Sequence, residues 1–201
     1  MKAKAYALAL LIPCAVLTAC NKQPATPAEP PTTMAPAEPA TPTGPPVATE
    51  APGTTMAQAR LTGKSGSTAT GQLQLTQVAD GVMIAGELTG LPPNSTHGFH
   101  VHEKGDCSAP DASSAGGHFN PTMAQHGGPE SAMKHLGDAP NIKSDASGNA
   151  TLSASIVGAT LKDGGANDLI GKAIVVHAKR DDYKTQPSGD SGDRIACGVV
   201  E

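Results

Sequence analysis

Apolar and polar residues alternate with a period of two along most of the chain beyond Met56. Leu73 and Leu75 alternate with Gln72, Gln74 and Thr76, Asp80-Gly81 supplies a hairpin turn, and Val82, Ile84 and Leu88 continue after it. Leu152, Ala154 and Ile156 alternate behind the turn residues Ser147-Gly148-Asn149. Further strands are predicted over 57–63, 98–102, 172–178 and 195–200. No segment carries a helical stripe with caps. The pattern predicts an all-β domain, an antiparallel Greek-key β-sandwich or barrel. Two long connections, 103–137 and 179–193, are rich in Gly, Pro and Asp, and loops of that length in a compact domain are usually functional.

The first 55 residues have a different pattern. Lys2 and Lys4 precede an apolar run over 5–16, which is too short to span a membrane but suits the core of an export signal. Leu17-Thr18-Ala19-Cys20 resembles a lipobox, so residues 1–20 read as a lipoprotein signal peptide ending at a lipidated Cys20. Residues 21–55 are almost entirely Pro, Ala, Thr and Glu and hold over half of the 18 prolines. With no apolar period from which to build a core, they read as a disordered tether between the anchor and a single domain over 56–201. The expected location is outside the cytoplasm, on a membrane-anchored lipoprotein facing the periplasm or the cell surface. Cys14 would leave with the signal. Cys107 and Cys197 remain, and an even pair in an exported protein reads as one disulfide.

The candidate chemistry lies in the histidines. Six of the seven fall between Thr96 and His135, and the seventh, His177, closes a separate apolar run. His100 and His102 stand at i and i+2, so a strand puts both imidazoles on one face, roughly 7 Å apart. Two neutral imidazoles side by side suit copper or zinc. His126 and His135 alone would be ordinary loop histidines, and Phe99 and Phe119 read as packing residues.

Six strings in one order carry a more specific resemblance. Gly98-Phe-His-Val-His102, Gly116-Gly-His-Phe-Asn-Pro121, His126-Gly-Gly-Pro129, His135-Leu-Gly-Asp138, Val175-Val-His177 and Gly192-Asp-Arg-Ile-Ala-Cys-Gly198 resemble the copper–zinc superoxide dismutase family, in its bacterial exported branch. Any one string would be weak; together they span the domain. The resemblance implies an enzyme that converts superoxide to dioxygen and hydrogen peroxide, with copper and zinc as cofactors, protecting the cell envelope. It assigns His100, His102, His118 and His177 to copper, and His118, His126, His135 and Asp138 to zinc, with His118 bridging the two. It makes Asp181 the carboxylate that accepts hydrogen bonds from His100 and His126, and it gives His97 a structural hydrogen bond. The Cys107–Cys197 pair would tie the first long loop to the last strand.

Charge adds a condition. The net charge of −4 repels a small anion, so an anion-consuming enzyme needs positive potential focused at its metal. Arg194 matches the family's docking arginine. Lys104, Lys134, Lys179, Arg180 and Lys184 lie in or beside the long loops and read individually as solubilising charges. The expected partners are superoxide and a lipid anchor, with a homodimer possible and no nucleic acid. Two other readings compete: a copper-handling lipoprotein without turnover, and a zinc-stabilised adhesion sandwich. Neither calls for both Arg194 and a fourth copper ligand.

Overall fold

A computed structural model describes residues 54–201; the expected signal segment, Cys20 and the expected tether up to residue 53 lie outside the described residues. The strands are β1 (Met56–Gly63), β2 (Thr70–Val78), β3 (Gly81–Thr89), β4 (Thr96–His97), β5 (Phe99–His102), β6 (Ile142–Lys143), β7 (Ala150–Val157), β8 (Ala173–His177) and β9 (Arg194–Val199). Seven of them form one sheet in the order β5-β8-β9-β1-β2-β3-β7, with antiparallel ladders throughout. The first and last strands are neighbours, and β3 lies beside β7 across a long connection, as Greek-key topologies require. Among the described residues the one helical segment is a 3-10 turn, Ser113–Ala115.

The period-two pattern explains how the sheet closes over a core. On β1 the inward residues are Ala57, Ala59 and Leu61, on β2 Leu73 and Leu75, on β3 Val82, Ile84 and Leu88, and on β7 Leu152, Ala154 and Ile156. Phe99 and Val101 of β5, at the far edge of the sheet, join the same buried cluster. Both edges therefore pack on one core, and the sheet curls. Strands β5 and β8 are buried on both faces. Their inner faces give Phe99, Val101, Ile174 and Val176 to the core, while their outer faces carry His100, His102, Ala173, Val175 and His177 beneath the long loops.

Three local features depart from the sequence expectation. Val78 pairs with Gly81, so the first hairpin turns at Ala79 and Asp80, one residue earlier than the Asp80-Gly81 reading. Gly81 begins β3 because a Cβ there would lie 2.2 Å from the carbonyl oxygen of Ile156. The short β6, which pairs with β4, has no alternating run long enough to signal it. Finally, the β8–β9 ladder slips between Val176 and His177: Val176 faces Ala196, but His177 faces Arg194. The extra residue, Ile195, turns into the core beside Ala196. This bulge puts Arg194 on the outer face with His177, where strict alternation from Cys197 would have placed Ile195. Bulges commonly re-aim side chains beside functional sites.

The loop after β5 is pinned over this outer face. Cys107 and Cys197 form a disulfide across 90 positions, and Ala112, Ala115, Ala173 and Val175 pack around it. Within the loop Ser114 Oγ accepts from Ala109 N at 3.1 Å and donates to Asp106 O at 2.8 Å. A closure of that length constrains the unfolded chain by about 4–5 kcal/mol in the entropy model. Reducing the bond, or Cys197→Ser, should lower stability by roughly 2–5 kcal/mol in denaturant titrations of the described domain. A loss below 1 kcal/mol would mean that the loop is held by its other contacts alone.

Candidate metal centre

Two strands and one long loop bring seven donor residues into two adjoining groups that share His118. His100 and His102 come from β5, His177 from the end of β8, and His118, His126, His135 and Asp138 from the first long loop. Ligand atoms of His100, His102, His118 and His177 lie within 4.8 Å of one another, as do those of His118, His126, His135 and Asp138. His118 belongs to both groups, and all seven residues are buried. The loop strand that carries His118 is docked on β5 by a bridge between His102 and His118.

Asp138 organises the second group. Its Oδ2 accepts from the backbone N–H groups of Gly127 and His135, each at 3.0 Å. Its Oδ1 is thereby aimed inward, 2.7 Å from His118 Nδ1, 3.0 Å from His126 Nδ1 and 3.3 Å from His135 Nδ1. Three nitrogens and one carboxylate oxygen form a closed four-donor set, the composition that suits structural zinc.

The first group is all imidazole, and its ring orientations are fixed from outside. His102 Nδ1 donates to Gly116 O at 3.0 Å, and His177 Nδ1 donates to Gly192 O at 3.2 Å. Carbonyl oxygens only accept, so both rings carry the proton on Nδ1 and turn Nε2 inward, 3.4 Å apart. His100 Nε2 donates to Asp181 Oδ2 at 2.8 Å. His126 Nε2 donates to the other oxygen of the same carboxylate at 3.0 Å. The nitrogens left over are His100 Nδ1, His118 Nε2, His126 Nδ1 and His135 Nδ1, all buried without a hydrogen-bond partner. Unpartnered nitrogens aimed at two common points fit two metal ions, and a four-imidazole set suits copper.

Residues 69–200 match the family described as copper/zinc superoxide dismutase (SODC). The chain belongs to that family. It is similar to the Cu-Zn superoxide dismutase 1 of Aquifex aeolicus strain VF5, 46% identical over 134 residues, which cover 65% of this chain and 79% of that one. A Caulobacter vibrioides Cu-Zn superoxide dismutase is 42% identical over 136 residues, covering 65% and 78%. A solved SOD-like protein from Bacillus subtilis superposes with a TM-score of 0.65 at 35% identity, covering 72% of this chain and 97% of that structure. Copper and zinc are the metals of the family, and both donor sets present here fit them.

Four other residues singled out in the sequence, His97, Arg194, Lys134 and Lys179, have defined partners in the structure. His97 is buried and its Nδ1 donates to His177 O at 2.9 Å, a structural contact. Arg194 is held by Ala112 O and Gly116 O, each 2.7 Å from its guanidinium. Lys134 reaches Asp138 O at 3.0 Å, and its half-buried ammonium is pushed down in pKa by desolvation. Lys179 pairs loosely with Asp190 at 3.8 Å, both exposed. Sequence reasoning missed four supporting residues. The Gln186 side-chain amide grips the His126 backbone by both its N–H and its C=O, at 2.9 Å each. Asn141 grips the Asp181 backbone in the same way, at 2.8 and 2.9 Å. Gly189, in the left-handed region at φ 68°, lies where a Cβ would fall 1.7 Å from Asp181 Oδ1. Ser191 is buried against His177. No local pattern marks these, because each acts on a partner far away in the chain.

Proton affinities divide the histidines. Burial, overriding Asp138, lowers His118 from 6.5 to about 4. Burial and the neighbouring imidazoles also hold His102 and His177 well below their ordinary value. For His126 burial opposes a charge, but the carboxylates of Asp138 and Asp181, one beside each ring nitrogen, outweigh it and raise the pKa to about 9. The same contacts hold Asp138 and Asp181 far below the carboxylate range despite their burial.

A metal must therefore displace a proton from His126 at neutral pH, whereas His118 is already neutral there. Zinc affinity of the metal-stripped protein should rise about tenfold per pH unit between pH 7 and 8.5 and level off near 9. Chelator competition measures this, and a flat profile would remove His126 from the zinc set.

Proposed function

We propose that this protein dismutates superoxide outside the cytoplasm while anchored to a membrane through Cys20. Two superoxide ions and two protons give one dioxygen and one hydrogen peroxide. The supporting observation is the cleft in which Arg194 meets His102, His118 and His177. When bound, copper in the His100, His102, His118 and His177 set supplies the one-electron chemistry, and zinc in the His118, His126, His135 and Asp138 set is structural.

The chain's own groups do the rest. Arg194 keeps its charge although burial lowers its pKa, because an arginine begins so far above neutrality. Two backbone carbonyls occupy part of its five-donor fork, and the remaining N–H groups are free to dock an anion beside the imidazole cluster. His118 Nδ1 is committed to the Asp138 side, while Nε2 is buried and unpartnered facing the copper-type group. Nε2 is the atom at which the chain can hold a proton and pass it to the nascent peroxide. Asp181 fixes the rings of His100 and His126 by accepting from the nitrogens turned away from the metals.

Arg194→Glu should leave both metals bound and cut the dismutation rate by about 10- to 100-fold, within the range electrostatic attraction supplies. Arg194→Lys should fall between, since an ammonium keeps the charge but loses the planar fork. The wild-type rate should also fall with salt, as screening shortens to about 8–10 Å. Equal rates in wild type and the glutamate variant, with copper occupancy verified, would overturn the docking role.

The anchored, exported reading rests on Cys20 and the Pro-rich tether, and it implies protection of the cell envelope from superoxide arising outside the cytoplasm. Full-length protein expressed in bacteria should incorporate labelled fatty acid and fractionate with membranes, and Cys20→Ala should abolish both. Unlabelled wild-type protein would defeat the anchor.

A further inference from the structure

The second long loop carries a hydroxyl that the ligand sets do not use. Ser191 is 1% exposed, and its Oγ lies 3.0 Å from His177 Nδ1. Gly192 O lies 3.2 Å from the same nitrogen. Because that carbonyl can only accept, Nδ1 must carry the proton, and the hydroxyl oxygen becomes a second acceptor for one N–H. Three-centre bonds of this kind are common, and each additional acceptor raises the basicity of the ring at its opposite nitrogen.

The position of Ser191 is fixed by its own backbone. Lys179 N donates to Ser191 O at 2.8 Å, Lys179 O accepts from Gly98 N at 2.8 Å, and Gly98 O accepts from His177 N at 2.9 Å. The room for the side chain comes from Gly98, where a Cβ would lie 3.0 Å from Ser191 Cβ. The three imidazoles that face inward from β5 and β8 thus have different outer partners. His100 has a carboxylate, His102 has one carbonyl, and His177 has a carbonyl and a hydroxyl.

We propose that Ser191 is a positioning residue for His177: by sharing the Nδ1 proton with Gly192 O it holds the ring in register and strengthens Nε2 as a copper donor. This rests on the copper-site reading of the four-histidine group. Because imidazole donation favours the more highly charged copper ion, removing the hydroxyl should raise the reduction potential and weaken Cu(II) binding. Losing a whole outer partner typically weakens metal affinity by 10–100-fold. Since Gly192 O remains, a loss of about 3- to 10-fold is expected here.

The test compares wild type, Ser191→Ala and Ser191→Thr in the full domain. In zinc-loaded, copper-free protein, nitrogen-resolved NMR should show the His177 Nδ1 proton exchanging several-fold faster in the alanine variant and at the wild-type rate in the threonine variant. Competition against a Cu(II) chelator should give the affinity loss for alanine alone, and voltammetry should give the upward shift in potential, with zinc affinity unchanged. Wild-type exchange and Cu(II) affinity in Ser191→Ala would overturn the proposal, as would a threonine variant that behaves like alanine. The NMR arm needs no turnover, so a wild-type protein that failed to consume superoxide would sink the enzymatic reading and leave the Ser191 result standing.

Discussion

Imidazole nitrogens removed from water must find something to bind, and the site is built around that requirement. His100 Nδ1, His118 Nε2, His126 Nδ1 and His135 Nδ1 are all buried without a hydrogen-bond partner. Each such atom costs about 1–3 kcal/mol if it stays unsatisfied. A domain whose net stability is only about 5–15 kcal/mol has little margin for four of them, so two cations are the economical completion of the fold. The surrounding architecture has to withstand their absence as well. The core beneath β5 and β8, and the disulfide that clamps the loop above them, hold the outer face by contacts that involve no ligand nitrogen.

The loops orient the ligands mainly through backbone groups and carboxylates. Asp138 spends one oxygen on two backbone N–H groups and offers the other to three imidazoles. Gln186 and Asn141 do the equivalent with side-chain amides, each satisfying both polar groups of a distant peptide segment. The two long loops are thereby joined to each other as well as to the sheet. Arg194 obeys the same logic. The segment between Cys107 and His118 supplies the two carbonyls, of Ala112 and Gly116, that hold the guanidinium.

Most of the strand layout was legible, because alternation on a half-buried sheet is a direct consequence of its geometry. The ligand histidines were legible for a different reason: six short strings in a fixed order carry the resemblance, although periodicity alone reached only His100 and His102. What stayed hidden was whatever depended on a shift of one residue or on contact between loops. Counting by two from Cys197 puts Arg194 into the core, and only the bulge at Ile195 turns it outward. Gly81 belongs to β3 rather than to the turn, because the neighbouring strand passes too close for a side chain. Gln186 and Ser191 look like ordinary loop residues until the fold lays them against His126 and His177.

The two donor groups are connected twice. His118 presents one nitrogen to each, and Asp181 presents one oxygen to His100 in the first and one to His126 in the second. The Asp181 backbone is pinned by Asn141, so its carboxylate can respond only by turning about its own side-chain bonds. Gly189 lies directly against its Oδ1, where a Cβ would fall 1.7 Å away, and blocks movement toward that side. A shift of His126 therefore reaches His100 through a short, stiff lever as well as through the shared ring of His118. Through these two parallel links a change in one group would be felt in the other, and any such coupling between sites is reciprocal by thermodynamic necessity. Asp181 already holds His100 with Nδ1 turned inward and His126 by its outer nitrogen, so a cation held by His126 would act on His100 through the same carboxylate.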